Sequence, residues 1–299
     1  MDEQLKIIEQ VPMLKKLKNY GQSGLNRKIR GTDVQKLIAG YKGVKEFLPG
    51  NDQDAILEPF GSRRVPLSHK RLKEFVSTFD LAQFGIPVRS RVGVLLPNGA
   101  ELAVALVCLV SYWCAAPINL TNTWEEMKME LESAKCTAIM IMQGATGNEN
   151  AIKAAEALNL TVISITQTGF VTGLFHMSLV TPLNEANVQV VEPYLEDIHH
   201  AGPKQTVLLL HTSGTSGTKK LVPYTLETLL VGVGCIVSAW ALVPSDVCLN
   251  MMPLFHIGKL PFLDLFLLCV THVFIIFLKS IWHVLHIYYF LTIYISSLF

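Results

Sequence analysis

The fold class follows from one segment of the chain, which reads Arg91-Val92-Gly93-Val94-Leu95-Leu96-Pro97-Asn98-Gly99. Residues 91–96 are mostly apolar and β-branched or leucine, which is typical of a buried strand, and Pro97-Asn98-Gly99 is typical of a turn. Residues 101–113 continue as a helix with apolar side chains on nearly all sides. A strand, a turn and a helix in this order predict the first part of a βαβ unit.

The same alternation continues along the chain. Further strands are predicted at residues 115–120, 137–141 and 161–165, and helices at residues 123–133 and 151–158. Thr123 and Glu126 stand at capping-box spacing where the first of these helices begins. Because strands connected through helices pair in parallel, the pattern predicts an α/β fold with a largely parallel sheet covered by helices.

Composition excludes several classes of protein. Half of the 299 residues are hydrophobic, 16% are charged, and 25 Lys and Arg balance 24 Asp and Glu. These values exclude a disordered chain, a collagen and a disulfide miniprotein. No window has the clustered excess of Lys and Arg that nucleic-acid binding requires. The chain lacks the basic start and apolar run of a secretory signal and any Cys-x-x-Cys pair, so we expect reduced, mostly buried thiols and a cytoplasmic protein.

A second segment carries the chemistry. An apolar run at residues 207–210 leads into His211-Thr212-Ser213-Gly214-Thr215-Ser216-Gly217-Thr218-Lys219-Lys220. Glycines let backbone N–H groups curve round phosphate oxygens, hydroxyls add donors and a lysine offsets charge, so this string predicts a polyphosphate-binding loop. The glycine spacing is not that of a Walker loop. Taken by itself, a loop of this composition after a strand is more typical of an ordinary surface turn.

The string resembles the phosphate loop of the acyl-adenylate-forming superfamily, which includes acyl-CoA synthetases, luciferases and peptide-synthetase adenylation domains. Four other segments are similar to motifs of this family and follow in the same order: residues 65–72, 91–101 and 115–121, and Pro253-Leu254-Phe255-His256-Ile257-Gly258. The resemblance covers about the first half of a family member. It implies an incomplete α/β fold, layered αβαβα with largely parallel sheets.

The resemblance also implies roles for individual residues. The cradle for the phosphates of Mg-ATP would consist of Thr212, Ser213, Gly214, Thr215, Ser216, Gly217, Thr218 and Lys220. His256 would be the catalytic residue beside the acyl pocket and the reacting carboxylate, although a histidine in an apolar setting is by itself more typical of a core. No residue is assigned to a metal. Lys219 stands where the family usually has proline, and Leu221 where it usually has glycine.

The implied reaction is ATP-dependent activation of a small-molecule carboxylic acid to an acyl-adenylate, followed by transfer to CoA. ATP and Mg²⁺ are the expected cofactors, and CoA is the expected acceptor. After Gly258 the sequence lacks the family's Tyr-Gly-x-Thr-Glu segment, its ribose-binding Asp, its hinge and the C-terminal domain with a catalytic lysine. We therefore expect negligible acyl-activating activity from this chain alone. The alternative is a non-enzymatic, membrane-attached nucleotide-binding fragment.

Three regions are predicted: an N-terminal extension of short helices and loops at residues 1–50, a partial AMP-dependent synthetase/ligase domain at 51–258, and a hydrophobic tail at 259–299. Two apolar runs in the tail, 262–278 and 281–299, approach the length that spans a bilayer. Asp264 and the histidines of these runs would be costly at the centre of a bilayer. The tail is therefore open to three interpretations: translated non-coding sequence, a membrane anchor or a buried core segment. Membrane association is expected only through residues 262–299.

Overall fold

The computed structural model describes residues 43–58, 63–180, 201–202, 204–212, 219–239, 247–250, 253–254 and 272–275. The strands of this part are β1 (Asp54–Leu57), β2 (Leu67–Ser68), β3 (Arg91–Leu95), β4 (Cys114–Pro117), β5 (Ala138–Met142), β6 (Thr161–Gln167), β7 (Phe175–Leu179), β8 (Thr206–Thr212), β9 (Lys220–Thr225), β10 (Val247–Asn250) and β11 (His272–Ile275). Its α-helices are α1 (His69–Thr78), α2 (Ala100–Tyr112), α3 (Trp124–Ala134), α4 (Asn148–Ala157) and α5 (Leu226–Ala239). Short 3₁₀ turns occupy Val44–Glu46 and Ala82–Phe84.

A seven-stranded sheet forms the centre of the fold, with strand order β7-β6-β5-β3-β4-β8-β9. The five inner strands run parallel, and the two edge strands β7 and β9 run antiparallel to their neighbours. This arrangement confirms the predicted α/β class with a mostly parallel sheet. Each helix and strand predicted between residues 91 and 165 is present, with its ends shifted by at most three residues.

The direction of the chain reverses at β3. Helix α2 leads from β3 to β4 on one side, and α3 then leads back across β3 to β5 on its other side. The carboxyl ends of β3 and β5 therefore border a crevice at a topological switch point. In open α/β sheets, ligands bind in such a crevice.

Helices cover both faces of this sheet. Side chains of β3 alternate between the two faces: Val92 and Val94 join the cluster that includes α1, α2 and α5, and Leu95 joins the cluster that includes α3 and α4. Every residue of α2 is buried, as its nearly continuous apolar sequence predicts. Gly93 allows α3 to approach the sheet closely, because a Cβ atom there would lie 2.3 Å from Cδ2 of Leu131.

A second sheet has the strand order β10-β11-β1-β2. Strand β11 runs parallel to both of its neighbours, and Val273 is in register with Cys248 on one side and Ile56 on the other. The four residues of β11, His272–Ile275, belong to the apolar run 262–278 that was predicted as a possible membrane segment. Within the described ranges, no helix combines the length and apolarity needed to cross a bilayer. The predicted domain bounds remain predictions, and most of the extension and of the tail lies outside the described residues.

Candidate functional site

The two ends of the predicted phosphate loop meet at the carboxyl end of β8. Thr212 ends β8, Lys220 begins β9, and the two residues are directly paired across the antiparallel ladder. The Thr212 hydroxyl donates a hydrogen bond to the backbone carbonyl of Lys220 at 3.3 Å. The structure thus brings together two of the residues predicted to bind phosphate. The other six, Ser213, Gly214, Thr215, Ser216, Gly217 and Thr218, lie outside the described residues.

The chemistry of these two ends suits an anion. Lys220 is exposed, and the neighbouring Lys219 keeps 43% of its side chain accessible to solvent. Ammonium groups and a hydroxyl form the charge-assisted hydrogen bonds that phosphate oxygens accept. The exposed Lys220 ammonium group at the stems therefore fits a polyphosphate.

Helix α3 contacts both stems of this loop through two residues one turn apart. On the β9 side, the ammonium group of Lys219 forms an ion pair with Oε1 of Glu130. On the β8 side, Nε2 of His211 lies 2.8 Å from the Ser133 hydroxyl, within hydrogen-bonding distance. The loop hairpin is therefore attached to the helix that follows β4.

The Glu130 carboxylate is buried, with only 8% of its side chain exposed. Its Oε1 atom also accepts a hydrogen bond from Nδ2 of Asn122 at 3.0 Å, and its Oε2 atom lies 3.7 Å from Nδ1 of His211. A buried charge is tolerated when it is paired and hydrogen-bonded, and both conditions are met here. We call Asn122, Glu130, Ser133, His211 and Lys219 the Glu130 cluster.

Burial lowers the pKa of His211, and the positive charge of Lys219 adds to this shift while the Glu130 carboxylate opposes it. The imidazole is therefore neutral at pH 7. Its Nδ1 atom is buried and has no hydrogen-bond partner among the described residues. Because the imidazole is neutral, it does not compete with Lys219 for the ion pair with the Glu130 carboxylate.

The crevice at the end of β3 receives the segment that leads to the predicted catalytic histidine. The Leu254 N–H group donates a hydrogen bond of 2.9 Å to Oδ1 of Asn98, in the turn between β3 and α2. Leu254 itself is 2% exposed and belongs to the larger hydrophobic core. His256 lies outside the described residues.

The two parts of the candidate site share one edge of the sheet. Strands β3, β4 and β8 are adjacent and parallel, so their carboxyl ends point the same way. With neighbouring strands about 4.8 Å apart, the ends of β3 and β8 are separated by about 10 Å. An elongated ligand at this edge can contact the Asn98 turn and the Thr212 stem at once.

The described residues at this edge do not form a metal site made of protein ligands alone. Across the part of the chain that the structure describes, no group of three or more His, Cys, Asp or Glu side chains could hold a metal ion. A magnesium ion needs few protein ligands when a substrate supplies phosphate oxygens. The residues present are therefore compatible with Mg²⁺ that arrives bound to a nucleotide.

Sequence reasoning missed the Glu130 cluster and the role of Asn98. The helical period of 3.6 residues places Glu130 and Ser133 on one face of α3, and this was readable from the sequence. His211 and Lys219 lie within the string that predicted the phosphate loop. The contacts of Glu130 and Ser133 with the phosphate-loop string could not be predicted from the sequence, because they depend on which strand lies beside β4.

Comparison with known proteins gives a consistent result. Residues 69–279 match the model of the family described as AMP-binding enzyme. The chain is 32% identical over 219 residues to a probable CoA ligase, CCL9, of Humulus lupulus, covering 72% of this chain and 39% of that protein. It is 35% identical over 200 residues to the acyl-CoA synthetase FUM10 of Gibberella moniliformis, covering 64% of this chain and 36% of that protein. The chain thus spans less than half the length of these curated relatives.

Solved structures show the same fold at lower sequence identity. Apo MatB from Rhodopseudomonas palustris matches 78% of this chain and 44% of its own, with a TM-score of 0.59 and 19% identity. The o-succinylbenzoate CoA synthetase MenE from Bacillus subtilis, in complex with the acyl-adenylate intermediate OSB-AMP, matches 79% of this chain and 55% of its own, with a TM-score of 0.57 and 18% identity. Since the family model covers more than half of the chain, this protein belongs to the family of AMP-binding enzymes.

Proposed function

We propose that this chain forms the nucleotide-binding part of an ATP-dependent carboxylate–CoA ligase. The observation that carries the proposal is that two separate motifs reach one edge of the sheet. Thr212 and Lys220 lie at the end of β8, and the Asn98 hydrogen bond holds Leu254, which is two residues before His256 in the sequence, at the end of β3. A nucleotide and an acid substrate that react with each other need such adjacent sites.

In this proposal, residues Thr212 to Thr218 and Lys220 hold the ATP phosphates. Hydroxyl and backbone N–H groups would donate hydrogen bonds to phosphate oxygens, and the exposed Lys220 ammonium would offset their charge. Bound Mg²⁺ would supply further neutralisation of the leaving pyrophosphate. The chain's own contribution is to hold two anions close together while charge moves onto the departing group.

His256 is the proposed catalytic residue on the acid side. Support for this role comes from Leu254, which precedes His256 by two residues and is hydrogen-bonded to Asn98 at the crevice, since two residues span at most about 7 Å. In the first reaction a carboxylate oxygen bonds to the α-phosphorus, and the bond to the β-phosphate breaks, releasing pyrophosphate. In the second, the CoA thiol loses its proton to solvent, its sulfur bonds to the acyl carbon, and the bond from that carbon to the phosphate oxygen of AMP breaks, so that AMP leaves. The names of the relatives as CoA ligase and acyl-CoA synthetase support a small carboxylic acid as substrate.

Two expectations about this chain remain predictions. One is that the 299 residues alone have negligible acyl-activating activity, and the other is the alternative of a membrane-attached nucleotide-binding fragment. Each matched relative is more than twice as long as the part of it that this chain covers. Binding and turnover therefore need separate measurements.

Calorimetric titration of the purified chain with MgATP tests the nucleotide site. We expect Lys220→Ala to weaken binding about 10- to 100-fold, which is the loss of one charge-assisted hydrogen bond. Lys204→Ala is the matched control, because Lys204 is exposed and precedes the start of β8, at the opposite edge of the sheet. Equal affinities for both variants, or no binding by the unaltered chain, would contradict the proposed nucleotide site.

Exchange of labelled pyrophosphate into ATP, measured with a panel of carboxylic acids, tests turnover. Binding of MgATP without exchange is the result expected of this chain. Robust acid-dependent exchange would support the ligase reaction and contradict the predicted inactivity.

A further inference from the structure

We propose that Glu130 is a positioning residue for the phosphate loop, a role that rests on the proposed binding of MgATP by residues 212–220. Glu130 attaches the β8–β9 hairpin to helix α3 and engages the Lys219 ammonium group. Lys220 is then the lysine left to meet the phosphates. Glu130 itself does not touch the nucleotide.

The geometry of the carboxylate supports this role. Its two oxygens face partners from the turn after β4, from β8 and from the position just before β9: Asn122, His211 and Lys219. Only 8% of the Glu130 side chain is exposed, against 43% of Lys219. The fixed member of the pair is therefore the glutamate, and the lysine is held by it.

The hairpin needs an attachment at this end. Strand β8 is in register with β4 at Leu208 and Ala115, and no further register pair follows toward Thr212 in the described residues. Beyond that point, the Ser133–His211 contact and the Glu130–Lys219 ion pair connect the stems to α3. Loss of the ion pair would leave the β9 stem attached only through its pairing with β8, and the position of Lys220 would become less fixed.

Lys219 departs from the residue that the resembling family usually has. Proline at this place fixes φ near −65° by its ring, whereas lysine leaves φ free. The ion pair to Glu130 does not fix φ, but it holds Lys219 in place through its side chain and in this way also restrains the stem. The two devices should therefore be interchangeable.

The test measures MgATP affinity of the 299-residue chain and of three variants, together with the melting temperature of each. Glu130→Gln keeps the shape but removes the charge, and we expect about a 10-fold weaker affinity. Glu132→Gln is the matched control, because Glu132 is exposed on the same helix, and no change is expected. Glu130→Gln combined with Lys219→Pro should recover most of the affinity, because the proline ring replaces the lost restraint.

Simple electrostatics predicts the opposite sign. Removing a negative charge beside a polyphosphate site, and freeing a lysine, would tighten MgATP binding if Glu130 acted only through its charge. An unchanged or tighter affinity of Glu130→Gln would therefore overturn the positioning role. A lower melting temperature with unchanged affinity would also overturn it, since that is the result of a merely structural contact.

Hydrogen exchange of the hairpin amides separates this inference from the proposed function. In Glu130→Gln, the amides of residues 219–222 should exchange at least several-fold faster in the absence of nucleotide, and those of Glu132→Gln should not. If the unaltered chain binds no MgATP, the nucleotide site fails and the positioning role fails with it. If the chain binds MgATP but exchange and affinity do not respond to Glu130→Gln, the positioning role alone is wrong.

Discussion

The Asn98 side chain accepts a hydrogen bond from the Leu254 N–H group at 2.9 Å, although 156 residues separate the two along the chain. Asn98 lies in the turn at the carboxyl end of β3, and Leu254 is buried in the core that packs against α2. This one contact connects the first predicted βαβ unit to the segment that precedes the predicted catalytic histidine. The crevice at the switch point is thus built from two distant parts of the sequence.

Replacement of Asn98 by alanine should destabilise the protein. The buried Leu254 N–H group would lose its acceptor, and an unsatisfied buried donor costs about 1–3 kcal/mol. Urea denaturation followed by circular dichroism measures the change in the free energy of unfolding. Asn98→Asp retains the acceptor oxygen and is the control. A loss as large in Asn98→Asp as in Asn98→Ala would mean that the acceptor is not what matters at this position.

Acidification should weaken the fold through His211. Its pKa is lowered in the folded protein by burial, with Lys219 adding to the shift and Glu130 opposing it. Between that lowered pKa and the ordinary value near 6.5, the unfolded chain binds more protons than the folded one, so stability rises with pH in this window. We therefore expect stability to be fully present above about pH 7 and to fall as the pH drops through 6.5.

Denaturation curves at pH 7.5 and pH 5.5 measure this effect in the unaltered chain and in His211→Gln. The glutamine variant cannot take up the proton, so its stability should differ less between the two pH values. His176→Gln, which changes an exposed histidine, is the control and should keep the full difference. Identical pH dependence in all three proteins would show that His211 does not contribute.

A buried ion pair holds the start of α2. Glu101 is 2% exposed, and its carboxylate pairs with the guanidinium group of Arg64, which also pairs with Glu58. Glu101→Gln should lower the free energy of unfolding by about 2 kcal/mol, because the guanidinium group of Arg64 would lose one of its two carboxylate partners. Thermal denaturation monitors the change. Glu74→Gln, on an exposed position of α1, should leave the melting temperature unaltered, and a similar loss in both variants would rule out the pair as the cause.

Features that depend on local sequence pattern, such as helix caps and buried apolar positions, could be predicted from the sequence. The capping box at the start of α3 is present, with the Thr123 hydroxyl accepting the Glu126 N–H group at 3.3 Å and the Glu126 carboxylate accepting the Thr123 N–H group at 2.9 Å. Three of the six cysteines, Cys108, Cys114 and Cys136, are buried free thiols as expected. Burial raises the pKa of Cys114 and Cys136 to about 12, so these two stay protonated at neutral pH.

Contacts between distant residues were not predictable in the same way. The Glu130–Lys219 ion pair joins residues 89 positions apart, and it exists because β8 packs beside β4. Hydrophobic periodicity identifies a strand but does not give its neighbour in the sheet. The antiparallel edge strands β7 and β9 were missed for a related reason, since the repeating βαβ pattern predicts parallel pairing only.

The contribution of the hydrophobic tail to the fold can be tested through strand β11. The predicted domain ends at residue 258, and the structure describes one strand beyond that bound. His272–Ile275 pairs in parallel with β10 on one side and β1 on the other, and the family match extends to residue 279. A chain ending at residue 258 would lose this strand and expose the facing edges of β1 and β10. Unpaired edges of this kind destabilise a sheet and promote association.

We expect the chain ending at residue 258 to melt at least about 5 °C below the 299-residue chain, because each kcal/mol lost shifts the melting temperature by about 2–4 °C at this size. A chain ending at residue 279 is the matched control. It keeps β11 and removes only residues 280–299, so its melting temperature should stay close to that of the 299-residue chain. Equal melting temperatures of the 258- and 279-residue chains would instead show that β11 adds nothing to the fold, as translated non-coding sequence from residue 259 onward would require.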